Sequence, residues 1–82
     1  MFLRATVIGI IPRNITDVVR VTPGSELFHL DKLTRVQPLN KGDNSSSAVL
    51  TFSKDSNYPD ARLVTEESYG KIMESLQTVI LG

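Results

Sequence analysis

The chain has no cysteine. No disulfide can staple it, and no thiolate can attack a substrate or hold a metal. Secreted domains of this size are usually disulfide-rich, so the absence points to a reducing, cytoplasmic compartment. Long hydrophobic runs are also missing. The apolar start from Met1 to Ile11 has no basic residue ahead of it and no cleavage site after it, and is not read as a signal peptide. Nothing approaches the roughly 18 apolar residues that span a bilayer, so no membrane role is expected. Charge of one sign is absent too. Nine basic residues balance nine acidic ones, whereas non-specific phosphate binding needs a cationic surplus. Histidine occurs once, at His29. A nucleophile–base pair or a metal site needs more partners than that, so no catalytic residue, metal site or cofactor is assigned and the chain is read as not an enzyme.

What is present is 82 residues with the apolar content of a folded chain. This is one domain, residues 1–82. A chain so short buries only about 60% of its unfolded surface and is marginally stable.

The hydrophobic pattern gives an α+β fold. Phe2 to Ile11 alternates, with Leu3, Ala5, Val7 and Ile11 on one face, and predicts a strand. A second strand is expected after Asp17. Thr22-Pro23-Gly24-Ser25 fits a type II turn, with proline at the first central position and glycine at the second. Further strands follow over Glu26–Leu30 and Leu33–Leu39, as two pieces or as one broken near Asp31-Lys32. Ala48–Ser53 places Ala48, Leu50 and Phe52 on one face, and Ala61–Val64 is a short final strand. Asn40 to Ser47 has no apolar residue and reads as a solvated, mobile loop.

From Val64 to Gly82 the spacing changes. Tyr69, Ile72, Met73, Leu76, Val79 and Ile80 recur every three or four residues, the signature of an amphipathic helix. Thr65 is placed as its N-cap, Glu66 and Glu67 in its first turn, and Val64 with Tyr69 as a hydrophobic staple. The expected assembly is an antiparallel sheet of about five short strands, open or curled toward a barrel, with this one helix across a face.

Several candidate sites compete with plainer readings. His29, between Phe28 and Leu30, is read as an exposed strand histidine. Asp55 to Asp60 lacks the spacing and glycine of a calcium loop, and Asx-turn chemistry explains it. Asn40–Ser47 lacks the phosphate-loop pattern, and the two sequons at Asn14 and Asn44 are chance matches. The arginines carry more weight. Arg4, Arg13, Arg20, Arg35 and Arg62 all lie on or beside strands. If several share one sheet face they can bind phosphate or an acidic partner. The alternative pairs them with Glu26, Asp17 or Asp31 on a solvated face. The candidate binding set is Arg4, Arg20, Arg35 and Arg62, with Tyr58 from the loop before the last strand. Tyr69, Met73, Leu76 and Ile80 are candidates for the core helix and for a contact with a second copy.

Leu63-Val64-Thr65-Glu66-Glu67-Ser68-Tyr69-Gly70-Lys71-Ile72, following strands, resembles the ending of small FlbD-type bacterial proteins. In those, strands lead through a Val-x-Glu-Ser-like step into a terminal helix. The resemblance covers the last third of the chain and carries no functional residue across. It implies a small regulatory or phage-type protein that acts by binding other proteins.

The sequence therefore leads to a non-enzymatic protein-binding module that self-associates, most simply as a two-fold dimer. Two alternatives stand beside it. One is a nucleic-acid binder using the strand arginines, disfavoured by the neutral charge and the lack of an interleaved aromatic set. The other is an oligomer that holds an anionic or nucleotide ligand between subunits.

Overall fold

A computed structural model describes residues 1–81, with side chains described through Thr78. Five strands and one helix form the fold: β1 (Phe2–Pro12), β2 (Val19–His29), β3 (Leu33–Pro38), β4 (Ser47–Phe52), β5 (Ala61–Ser68) and α1 (Tyr69–Leu81), with a single 3-10 turn at Leu30–Lys32. All pairings are antiparallel, in the order β2-β1-β5-β4-β3. The expected α+β class therefore holds. Two hairpins, β1–β2 and β3–β4, are joined by β5 between them.

The sheet is curled but not closed. β2 and β3 lie at opposite edges, yet only Leu30–Lys32 separates them. Flat strands spaced about 4.8 Å apart would put those edges about 19 Å from each other. Three residues cannot reach that far. The sheet must bend to bring its edges together at that end, and Phe28 of β2 stacks within 5.2 Å of Phe52 of β4. No β2–β3 ladder follows, so a true barrel is excluded.

The bend gives the sheet an inner and an outer face. The inner face holds Leu3, Ala5, Val7, Phe28, Ala48, Leu50, Phe52 and Leu63, with Ile72 and Leu76 of α1 packed onto them. Tyr69 and Met73 are half-buried against the same cluster. Ile80 lies outside the described side chains. The outer face holds a smaller cluster of Ile11, Val49 and Val64, with Ile8 beside it. Ile11 thus departs from its expected face. The β1–β2 and β1–β5 registers shift between Val7 and Gly9. Because side chains alternate, that irregularity turns the rest of β1 over. Gly9 is needed there for space: a Cβ would meet Val18 Cγ1 at 2.6 Å, where the β1–β2 connection folds onto the outer face.

The type II turn at Pro23-Gly24 does not form. β2 runs through it, and Gly24 pairs with Val7. Gly42, at φ 81°, is the one positive-φ glycine among the described residues. Proline survives inside β2 because the strand is an edge and the register slips there. From Val7 to Gly9 the partners step from Gly24 to Arg20, so Val21–Pro23 bulge against Ile8.

The helix begins three residues later than expected, with its cap at position 68 and not 65. Thr65 is a strand residue, fully buried inside a bulge of β5. Its hydroxyl accepts from Ala48 N–H (3.2 Å) and donates to the Glu67 carbonyl (2.8 Å). Glu67 is also not in a first helical turn. Its carboxylate accepts from Thr6 N–H (2.8 Å) and Thr6 Oγ1 (3.0 Å), replacing the ladder where β5 swings away from β1. Burial pushes this carboxyl up, but the Thr6 N–H, its own backbone N–H, the Thr6 hydroxyl and nearby Lys71 outweigh it and hold the group below its ordinary range. The actual N-cap is Ser68, whose Oγ accepts from Lys71 N–H at 3.2 Å.

The loop expected to be mobile completes the cap. Ser46 carbonyl accepts Tyr69 N–H (2.7 Å) and Asn44 carbonyl accepts Gly70 N–H (2.9 Å). Helix starts leave such donors unpaired, and here the loop takes two of them. Asp43 ties the loop together through the N–H and hydroxyl of Ser45. Replacing Lys41–Ser46 with a Gly-Asn turn is therefore expected to cost about 1–3 kcal/mol, the usual penalty for orphaned backbone donors. Thermal melts check this. A melting temperature equal to the wild type would show that the loop carbonyls contribute nothing.

Candidate functional site

The register decides which arginines meet. Residues paired across neighbouring strands point to the same face. Arg35 pairs with Thr51, Thr51 with Arg62, and Arg62 with Ile11. Ile11 faces outward, so this entire row lies on the outer face. The next row runs Arg20–Gly9–Val64–Val49–Gln37. Arg35 and Arg62 stand about 10 Å apart at Cα, two strand spacings, on either side of Thr51. Arg20 is one row on. Arg4 shares the face but lies toward the other end of β1, paired with Leu27 and next to the stacked rings of Phe2 and His29, 4.5 Å between centroids.

The expected carboxylate partners are elsewhere. Glu26 accepts a hydrogen bond from Tyr58 (2.8 Å), and Asp31 lies 3.9 Å from His29 Nδ1. Among the described residues, Arg4, Arg20, Arg35 and Arg62 have no carboxylate within 4.0 Å; Arg13 alone of the arginines does, pairing with Asp60 at 3.2 Å. Arg4, Arg20 and Arg35 are exposed and Arg62 is half-buried. All five arginines lie in or beside strands, while the four lysines fall on α1, the loops and the 3-10 turn.

Tyr58 does not join them. It packs with Phe28 (6.1 Å) and Phe52 (5.7 Å) on the inner side and closes the open end of the core. Burial pushes its phenol up, and the Glu26 hydrogen bond and charge add to that. A cleft of about 500 Å³ beside it, lined by Glu26, His29, Lys32 and Asp55 among others, is the larger concavity. Lys32 pairs there with Asp55, and Glu26 accepts the Tyr58 hydroxyl. The hydrogen bond from Lys32, then that from Ser53, holds the Asp55 carboxyl down to about 2. Its aromatic floor, Phe28, Phe52 and Tyr58, is part of the core.

A second cleft, of about 310 Å³, opens at the end of the outer face and includes Ile11, Arg13, Thr51, Lys54, Asp60 and Arg62. It gathers three cations and one carboxylate. Arg13 and Lys54 stand outside the sequence-based binding set, since loop 54–60 gives no sign of where it folds. Among the described residues no cluster of three histidine or acidic side chains could hold a metal ion, and no helix is long and apolar enough to cross a membrane.

No protein-family model, curated protein or solved structure matches the chain.

Proposed function

We propose that the chain is a non-enzymatic, cytoplasmic protein-binding module of bacterial or phage type, with a regulatory role, whose outer sheet face docks an acidic protein surface. One observation carries the reading: Arg20, Arg35 and Arg62 are gathered on that face without a carboxylate partner. Guanidinium is weakly hydrated and binds carboxylates in a bidentate fork, which suits it to protein interfaces. The apolar residues Phe2, Val18 and Leu27, 38–54% exposed, lie on the same side. Nucleic acid is the weaker reading. The chain has no net positive charge, and Phe2 and His29 are too few rings to make a stacking platform.

The test is retention of host proteins on the immobilised chain after nuclease treatment. Arg20→Glu with Arg35→Glu, both at exposed positions, is expected to lose the retained partner while melting within a few degrees of wild type. Retention that nuclease abolishes, or that the double variant keeps, contradicts the reading.

Self-association belongs to the same proposal, and a two-fold dimer is its simplest form. The support is the exposed apolar pair Phe2 and Leu27, diagonal neighbours on the outer face at one end of the β1–β2 hairpin. The helix positions Tyr69, Met73 and Leu76 pack against the core of their own chain, so we place the contact on the sheet instead. Sedimentation equilibrium at micromolar concentration is expected to show a dimer, reduced to monomer by Leu27→Lys. A single 9.1 kDa species for the wild type would sink the idea.

A further inference from the structure

We infer that the cleft at the end of the outer face binds a phosphate monoester dianion, through Arg62 and Lys54 with the Thr51 hydroxyl, beside the Arg13–Asp60 pair. The inference rests on the outer face being the binding face. Its test uses no partner protein, so its failure is separate from a failure of partner capture.

The cleft is built by three elements that converge. β1 ends at Pro12 and delivers Ile11 and Arg13. β4 and β5 lie side by side and deliver Thr51 and Arg62 as a register pair. The loop after β4 brings Lys54, and its end at Asp60 fixes the wall. Two contacts pin that wall: Arg13 N–H donates to the Asp60 carbonyl (2.9 Å), and Arg13 Nη1 pairs with Asp60 Oδ1 (3.2 Å). Asp60, the carboxylate in the cleft, is thereby neutralised. Arg62 and Lys54 remain, and among the described residues neither has a carboxylate within 4.0 Å.

Arg62 is the informative residue. It is half-buried between Ile11 and Thr51. A cation partly removed from water and given no protein counter-charge is unfavourable, and a bound anion relieves it. Arg35 stands on the other side of Thr51 and adds to the positive potential. Two unpaired cations and a hydroxyl exceed what a single carboxylate can use. A phosphate monoester carries nearly two charges and three acceptor oxygens, and guanidinium meets it with paired N–H donors. The volume, about 310 Å³, is at the lower end for ligand pockets, which suits one small group over an entire cofactor.

The test is a ¹H–¹⁵N titration of the full chain with three probes at matched ionic strength: inorganic phosphate, a phosphoserine peptide and a nucleoside monophosphate. Sodium chloride is the control. Saturable shifts are expected at Arg13, Thr51, Lys54 and Arg62, and Lys54→Ala or Arg62→Ala should each weaken binding about tenfold, or ~1.4 kcal/mol. Lys54 lies in a loop, so its variant stays folded even if Arg62→Ala does not. The probe that binds tightest identifies the source of the phosphoryl group. Shifts that chloride reproduces, or affinity unchanged in Lys54→Ala, overturn the inference.

Discussion

Leu76→Asp abolishes cooperative unfolding. Leu76 is 8% exposed and packs beside Ile72, which is 2% exposed, against the inner face of the sheet. A carboxylate there has no partner and cannot reach water without moving the helix. Burying an unpaired charge costs several kcal/mol at least, against a total stability of about 5–15 kcal/mol for such a domain. The inner face cannot compensate, because a curled sheet of short strands leaves its concave side open without α1. Circular dichroism melts check this. A sigmoidal transition within a few degrees of the wild type would show that α1 is not part of the core.

Thr65→Val has the second largest effect, although it removes no volume. Thr65 and Ala48 are both fully buried. The valine keeps the shape but leaves Ala48 N–H without its acceptor and the Glu67 carbonyl without its donor. Orphaning buried groups costs about 1–3 kcal/mol. In a domain of this size each kcal/mol lowers the melting point by roughly 4–8 °C. Thr65→Ser keeps the hydroxyl and is expected to retain most of the stability despite its missing methyl. If valine melts like the wild type and serine does not, the methyl matters and the bulge hydroxyl does not.

Thr65 also shows where sequence reading stops. A hydroxyl followed by two glutamates ahead of a helical repeat satisfies every local rule for an N-cap. The rule fails because each group has a stronger use at long range: the hydroxyl fills a bulge opposite Ala48, and Glu67 reaches Thr6, 61 positions away. The true cap, Ser68, lacks an acidic residue three positions on, where Lys71 stands instead. The loop's contribution to the cap was invisible for another reason. Ser46 and Asn44 act through backbone carbonyls, which every residue carries.

Other features were legible because they depend on periodicity alone. The alternation of Leu3, Ala5 and Val7, the run Ala48–Leu50–Phe52 and the helical pair Ile72 and Leu76 all reached the inner face as their spacing requires. Ile11 escaped because one irregularity at Gly9 reverses everything after it. The same sensitivity governs the candidate site. That Arg20, Arg35 and Arg62 share a face follows from register, and register depends on bulges in β2, β3 and β5 that composition does not announce. Tyr58 is a loop aromatic in the sequence, and the curl of the sheet draws it to the side opposite the arginines.

Under the proposed function, partners bind the outer face of the sheet and leave the helix side alone. Arginine-specific modification with phenylglyoxal, read by mass spectrometry on the free chain and on its complex with the retained partner, tests it most directly. Arg20, Arg35 and Arg62 are expected to be protected in the complex, while α1 keeps the hydrogen exchange of the free protein. Arginines modified equally in both states, with protection appearing on α1 instead, would contradict it.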